Sequence, residues 1–198
     1  MSKFRMIIPI VFITSCSGGL SSDYLPLLLE TPKRVINSFK SYTPGDNYIQ
    51  NQKTSFVTVE LGAQNATLVL QSIDNKIFTW IGLGNVVFKT YKGFIISTAG
   101  LEHNLEIVDP ISSIDKLLVN ERNILLYTFD NPRLYDLPVS ATYINQSREL
   151  IELDLFSDDI NWQSRIKIEY ESNGLPSTSI LSLHPFLKPA RLRFYYKY

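Results

Sequence analysis

The stretches Glu149-Leu150-Ile151-Glu152-Leu153-Asp154-Leu155-Phe156 and Trp162-Gln163-Ser164-Arg165-Ile166-Lys167-Ile168-Glu169-Tyr170-Glu171 decide the fold. In the first, Ile151, Leu153 and Leu155 alternate with Glu152 and Asp154. In the second, Trp162, Ile166, Ile168 and Tyr170 share a face and Arg165 and Lys167 lie opposite. Successive side chains of a strand point to opposite faces, so each stretch reads as a half-buried strand. A turn at Asp158-Asp159-Ile160-Asn161 sets Asp154 across from Arg165 and Glu152 across from Lys167. The same register sets Ile151 against Ile168 and Leu153 against Ile166. A slip by one residue would turn an apolar face to water, so this alignment is strongly specified. The charge pairs fix alignment more than stability, since exposed pairs contribute only some tenths of a kcal/mol.

The same period of two runs outward in both directions. Residues 56–61 and 66–71 flank Gly62-Ala63-Gln64-Asn65 as a hairpin-like pair, and strands are expected at 76–81, 86–91 and 94–98. Later ones are expected at 124–129, 139–145, 149–156, 163–171, 177–183 and 190–198. Turn signals every 8–12 residues point to an antiparallel sandwich or barrel and away from a βαβ fold. In the last strand Leu192, Phe194, Tyr196 and Tyr198 alternate with Arg191, Arg193, Tyr195 and Lys197. An aromatic terminal strand also suits a membrane barrel, but the basic opposite face favours a strand that closes a soluble barrel or sheet.

Helix signals are few. Thr31-Pro32 can cap and start a short helix over residues 31–41, with Val35, Ile36 and Phe39 on one face. Residues 114–122 offer another turn or two. The expected fold class is therefore mainly β, an antiparallel barrel or barrel-like sandwich with a short N-terminal helix.

Composition removes several functions. The 198 residues carry 19 basic and 19 acidic side chains, so no global charge draws the chain to nucleic acid. One cysteine excludes an internal disulfide and a thiolate zinc cluster, and two histidines are too few for a histidine-rich metal site. No cofactor is expected.

The N-terminus carries an address. A basic start, Lys3 and Arg5, precedes the apolar run Met6-Ile7-Ile8-Pro9-Ile10-Val11-Phe12-Ile13. As a helix that run would span about 12 Å, too short for a bilayer core of about 30 Å, but suited to a signal peptide. Ile13-Thr14-Ser15-Cys16 then matches a bacterial lipobox. Residues 1–15 are read as a lipoprotein signal peptide, and 16–23 as the lipidated Cys16 with a flexible tether. Residues 24–198 are read as a single β-rich domain. Acylation at Cys16 would give a membrane anchor. By the sorting habit of enteric lipoproteins, Ser17 in place of an aspartate implies the outer membrane.

Catalytic constellations do not emerge. There is no G-x-S-x-G, H-E-x-x-H or phosphate-cradling glycine loop. Asp158-Asp159 with Glu152 or Asp154 reads as a turn and a solvated face, not as an acid pair for glycoside hydrolysis. The chain is expected not to be an enzyme. Trp80, His103, Asn104 and Trp162 are the weak candidates for ligand contact, since sugar rings stack on indoles. The simpler readings are core tryptophans, a turn histidine at 103 held by a hydrogen bond, and His184 as a loop residue before Pro185.

Trp80-Ile81-Gly82, leading into Tyr91-Lys92-Gly93-Phe94-Ile95-Ile96-Ser97-Thr98-Ala99-Gly100-Leu101 and on to His103-Asn104-Leu105, resembles the YjbF/GfcB family of outer-membrane lipoproteins. The motif covers about 25 residues, although the layout of lipobox, tether, helix and strands extends the likeness over most of the chain. Phe94 stands where a more polar residue would fit the pattern. The resemblance implies a β-barrel-like domain that serves exopolysaccharide or capsule production and export as an accessory or assembly factor. It also implies partners: a periplasmic protein and an outer-membrane β-barrel of the secretion system, with the polysaccharide itself a further candidate. It brings no catalytic residue. Two alternatives make structural demands. A lipid- or lipoprotein-handling carrier needs a large dry cavity lined by residues such as Leu68, Leu70, Val87 and Leu125, and a polysaccharide-binding module needs exposed rings at Trp80 and Trp162.

Overall fold

The computed structural model describes Ile49, residues 51–120 and residues 122–197. Cys16, the tether and the helix expected over 31–41 lie outside the described residues. Within them the chain forms a closed antiparallel barrel of twelve strands, each paired with its neighbours in sequence. In order these are β1 (Phe56–Leu61), β2 (Gln64–Asp74), β3 (Ile77–Ile81), β4 (Val87–Tyr91), β5 (Phe94–Ala99) and β6 (Leu105–Ile107). Helix α1 (Pro110–Val119) follows, then β7 (Arg122–Phe129), β8 (Leu134–Gln146), β9 (Leu150–Ser157), β10 (Trp162–Tyr170), β11 (Pro176–Leu181) and β12 (Ala190–Tyr195).

The β9–β10 register is the expected one. Asp154 faces Arg165, Leu153 faces Ile166, Glu152 faces Lys167 and Ile151 faces Ile168. One ion pair follows it, with Arg165 Nε 3.0 Å from Asp154 Oδ1. The other does not. Lys167 Nζ reaches along its own strand to Glu169 Oε1 at 2.8 Å, although Glu152 lies across the ladder. A long flexible side chain on an exposed face selects among several carboxylates, and register alone does not choose for it.

The wall closes where β12 pairs with β1, from Phe56 opposite Tyr195 to Leu61 opposite Ala190. The Phe56 and Tyr195 rings stack at 4.6 Å, and the Lys197 N–H donates to Ser55 Oγ at 2.9 Å. Closure leaves no free sheet edge of full length, which removes the commonest route to edge-to-edge aggregation. Inward side chains from all the strands fill the interior, among them Val57, Leu68, Trp80, Phe88, Leu125, Phe129, Leu153 and Leu192. The barrel is a packed core in the form of a cylinder.

Three local expectations need correction. The mid-chain helix runs over Pro110–Val119 and not over 114–122. Proline at its first position supplies the preset φ, Ile114 and Leu117 are buried, and the Asn120 N–H closes the last turn on Lys116 O. Strand β6, three residues long, is too short to show a period. Strand β8 starts at Leu134 and runs through Pro138, five residues before the expected start at 139. The β8–β9 ladder begins only at Ser140 opposite Phe156, so Pro138 sits where β8 has its neighbour on the β7 side alone.

Alternating strand directions sort the connections between two ends. Residue 55, the α1 segment and the finish of β12 lie at the entry end. The connections at 62–63, 82–86, 100–104, 130–133, 158–161 and 182–189 gather at the far end.

Candidate functional site

The far end holds a cluster of polar side chains. Asn104, just before β6, makes a closed set of bonds. Its side-chain oxygen accepts from Leu101 N–H at 3.0 Å, and its Nδ2 donates to Leu101 O at 3.0 Å and to Asp130 Oδ2 at 2.9 Å. The Asn104 backbone N–H donates to Asp130 Oδ1, and the Asp130 N–H returns a bond to Asn104 O. Burial opposes ionisation of Asp130. The two bonds from Asn104 and the neighbouring histidines outweigh it, and the carboxyl is held below its usual range.

His103 donates through Nδ1 to Asn131 O at 2.6 Å, the turn-histidine bond anticipated for it. His184 is a loop residue before Pro185, as expected. It lies in the β11–β12 connection but has no exposed surface. Its ring sits 4.7 Å from His103, 5.2 Å from Phe129 and 5.3 Å from Phe186. Its Nδ1 accepts from the Phe186 N–H, which leaves the ring proton on Nε2, a buried atom with no hydrogen-bond partner. Desolvation, reinforced by His103, lowers the His184 pKa, with Asp130 opposing.

Of the four weak candidates, three meet here. His103 and Asn104 reach the cluster directly, and Trp162 reaches it through Phe129, whose ring is 6.1 Å away edge-on. Trp80 does not. It stacks on Phe78 at 5.8 Å, tilts against Phe194 at 5.7 Å and donates its indole N–H to Thr90 Oγ1 at 2.9 Å, wholly buried. Trp162 is 8% exposed. Neither indole offers an open stacking face, so the exposed-ring reading loses both. His184, Asp130 and Phe129 were missed because nothing in local sequence brings a residue from one far-end loop against another.

Beside the cluster the wall opens. The β10–β11 ladder starts at Lys167 opposite Ile180, so Trp162 to Ile166 pair only with β9. The Ser164 and Ser182 hydroxyls bridge the opening at 2.6 Å. Between β10 and the 182–189 connection lies a cleft of about 430 Å³, bounded by Trp162, Gln163, Arg165, Pro185 and Leu187 among others. It is not the cavity a carrier needs. Leu68 and Leu125 are wholly buried in the packed core, and Leu70 packs against it. Among the described residues, no group of three or more His, Cys, Asp or Glu side chains is placed to hold a metal ion.

The motif residues of the early strands have structural work. Thr90 holds Trp80, and Thr98 Oγ1 accepts from Leu105 N–H at 3.0 Å. Gly93 has φ +83, and a Cβ there would lie 2.6 Å from Ile168 Cγ2. Gly100 has φ +78, and a Cβ there would lie 2.5 Å from Asn85 O. These residues specify turns and close approaches of backbone, which is scaffold and not chemistry.

Over the described residues this geometry defines a closed, side-chain-filled, twelve-stranded up-and-down barrel. No family model matches the chain, and no curated protein matches it. Among solved structures it is similar to the hypothetical lipoprotein YmcC from Escherichia coli (K12), with 18% identity and a TM-score of 0.63. The similarity covers 77% of this chain and 89% of that one. It is a likeness of fold.

Proposed function

We propose that this chain is a lipid-anchored accessory protein of surface-polysaccharide production and export, held at the periplasmic face of the outer membrane through Cys16. The observation that carries the reading is a conjunction. A lipobox at Ile13-Thr14-Ser15-Cys16 precedes a barrel whose fold is that of a protein described as a lipoprotein. The family-like motif adds to it. The filled interior favours a docking or assembly role over carriage of acyl chains. The partners fitting that role are periplasmic and outer-membrane β-barrel proteins of a polysaccharide secretion system. Anchoring confines the search for such partners to one surface and raises their effective concentration.

Deleting the gene and measuring surface polysaccharide tests this, with Cys16→Ala as the test of anchoring. Both strains should lose surface polysaccharide, and the native protein should carry acyl mass on residue 16. Unchanged polysaccharide in both strains overturns the reading.

A further inference from the structure

We infer that the cleft between β10 and the 182–189 connection binds an acidic saccharide, with its carboxylate on Arg165 and its hydroxyls on Gln163, Ser164 and Ser182. The inference rests on the polysaccharide reading above and names the ligand class for one site.

The cleft exists because two chain segments part. Toward β11, β10 has no ladder partner before Lys167, and the chain beyond Leu181 turns inward, burying Leu183 and His184. That inward turn carries Pro185 and Leu187 out over the opening, where with Pro189 and the edge of Trp162 they make an apolar wall. The volume of about 430 Å³ lies in the range of small-molecule sites. Facing the wall are polar groups of one disposition. Arg165 uses Nε on Asp154, and among the described residues its two terminal nitrogens make no bond. Among the described residues the Gln163 amide makes no side-chain bond, and the Ser164 and Ser182 hydroxyls bond each other. Among the described residues no carboxylate lines the cleft.

These features select a ligand. Both lining cations are paired with carboxylates outside the lining, Arg165 with Asp154 and Lys167 with Glu169, so what is left for an anion is the terminal edge of the Arg165 guanidinium, whose planar fork matches a carboxylate two-pronged. Hydroxyl and amide groups both donate and accept, which suits sugar hydroxyls that do the same. The apolar wall suits the C–H face of a pyranose ring. The site lies near the far end, opposite the end at which β1 begins at Phe56.

The chain has two tryptophans, one in the core and one at the cleft, which provides a direct readout. In Trp80→Phe the remaining indole is Trp162. Oligogalacturonate titrated into the full chain in detergent should change its emission saturably. Calorimetry on the wild-type chain gives the same isotherm if Trp80→Phe fails to fold. Arg165→Gln should weaken binding about ten-fold or more, as expected for loss of a charged hydrogen bond. Lys89→Gln, an exposed charge on β4, should leave it unchanged. Absence of saturation, or equal weakening by Lys89→Gln, overturns the inference. Equal binding of neutral maltooligosaccharide overturns the carboxylate assignment, and equal binding of polyglutamate makes the cleft a peptide or general anion site. Binding is read on purified protein and export on cells. A chain that supports export without binding the probe defeats this inference alone, and one that binds without affecting export defeats the accessory role alone.

Discussion

The imidazoles of His103 and His184 lie 4.7 Å apart, one at the edge of solvent and the other sealed against Phe129 and Phe186. The sealed ring has its pKa lowered from 6.5, first by desolvation and then by His103. The unfolded chain therefore binds the proton more readily than the folded one. Stability is fullest above pH 6.5 and falls as pH drops below it toward the folded value. Urea unfolding across this window should show the slope, and His184→Gln should flatten it. Asp130, lowered from 3.8, contributes stability that is present above that value and lost as pH falls below it, so the two windows separate.

Gly93 and Gly100 should be intolerant of a methyl group. Each combines a positive φ with a neighbour inside 3 Å of a built Cβ. Gly93→Ala and Gly100→Ala should each cost about 2–5 kcal/mol in denaturant unfolding, from left-handed strain plus overpacking. Gly62, with φ +61 and open space around it, supplies the contrast, at about 1–2 kcal/mol for strain alone.

Trp80 and Thr90 form a buried side-chain hydrogen bond in the core. Trp80→Ala should cost about 3–5 kcal/mol by leaving a cavity. Thr90→Val keeps the shape and removes the acceptor, so the indole N–H is stranded at about 1–3 kcal/mol. Restoring an acceptor with Thr90→Ser should recover part of that loss, measured in the same unfolding experiment.

In the β9–β10 hairpin the inner and outer faces should respond differently. Leu153→Ala and Ile166→Ala, at facing buried positions, should cost about 2–5 kcal/mol each. Asp154→Ala and Arg165→Ala remove an exposed ion pair and should change stability by less than about 1 kcal/mol. Equal losses on both faces would contradict this division.

The same hairpin shows what the amino-acid order settles alone. Alternation in Glu149–Phe156 and Trp162–Glu171 dictated strands, their pairing and their register, because a period of two leaves one arrangement that turns Ile151, Leu153, Leu155, Ile166 and Ile168 inward together. The alternation at residues 191–197 likewise marked β12 as the strand that closes the wall. The short β6 is not legible because three residues carry no period, and the start of α1 is marked by Pro110 at its first position and not by apolar spacing.

The far end was not legible in the same way. His103 could be read as a turn residue from its own neighbours. That His184 would be buried against it, that Asn104 would clasp Asp130, and that Trp162 would lie beside an opening between β10 and the chain after β11 depended on closing twelve strands. Local sequence fixes the face on which a side chain lies, because alternation is a property of neighbours along the chain. Which loops meet at one end of a cylinder depends on the sum of all the registers around it, and only the closed barrel decides that.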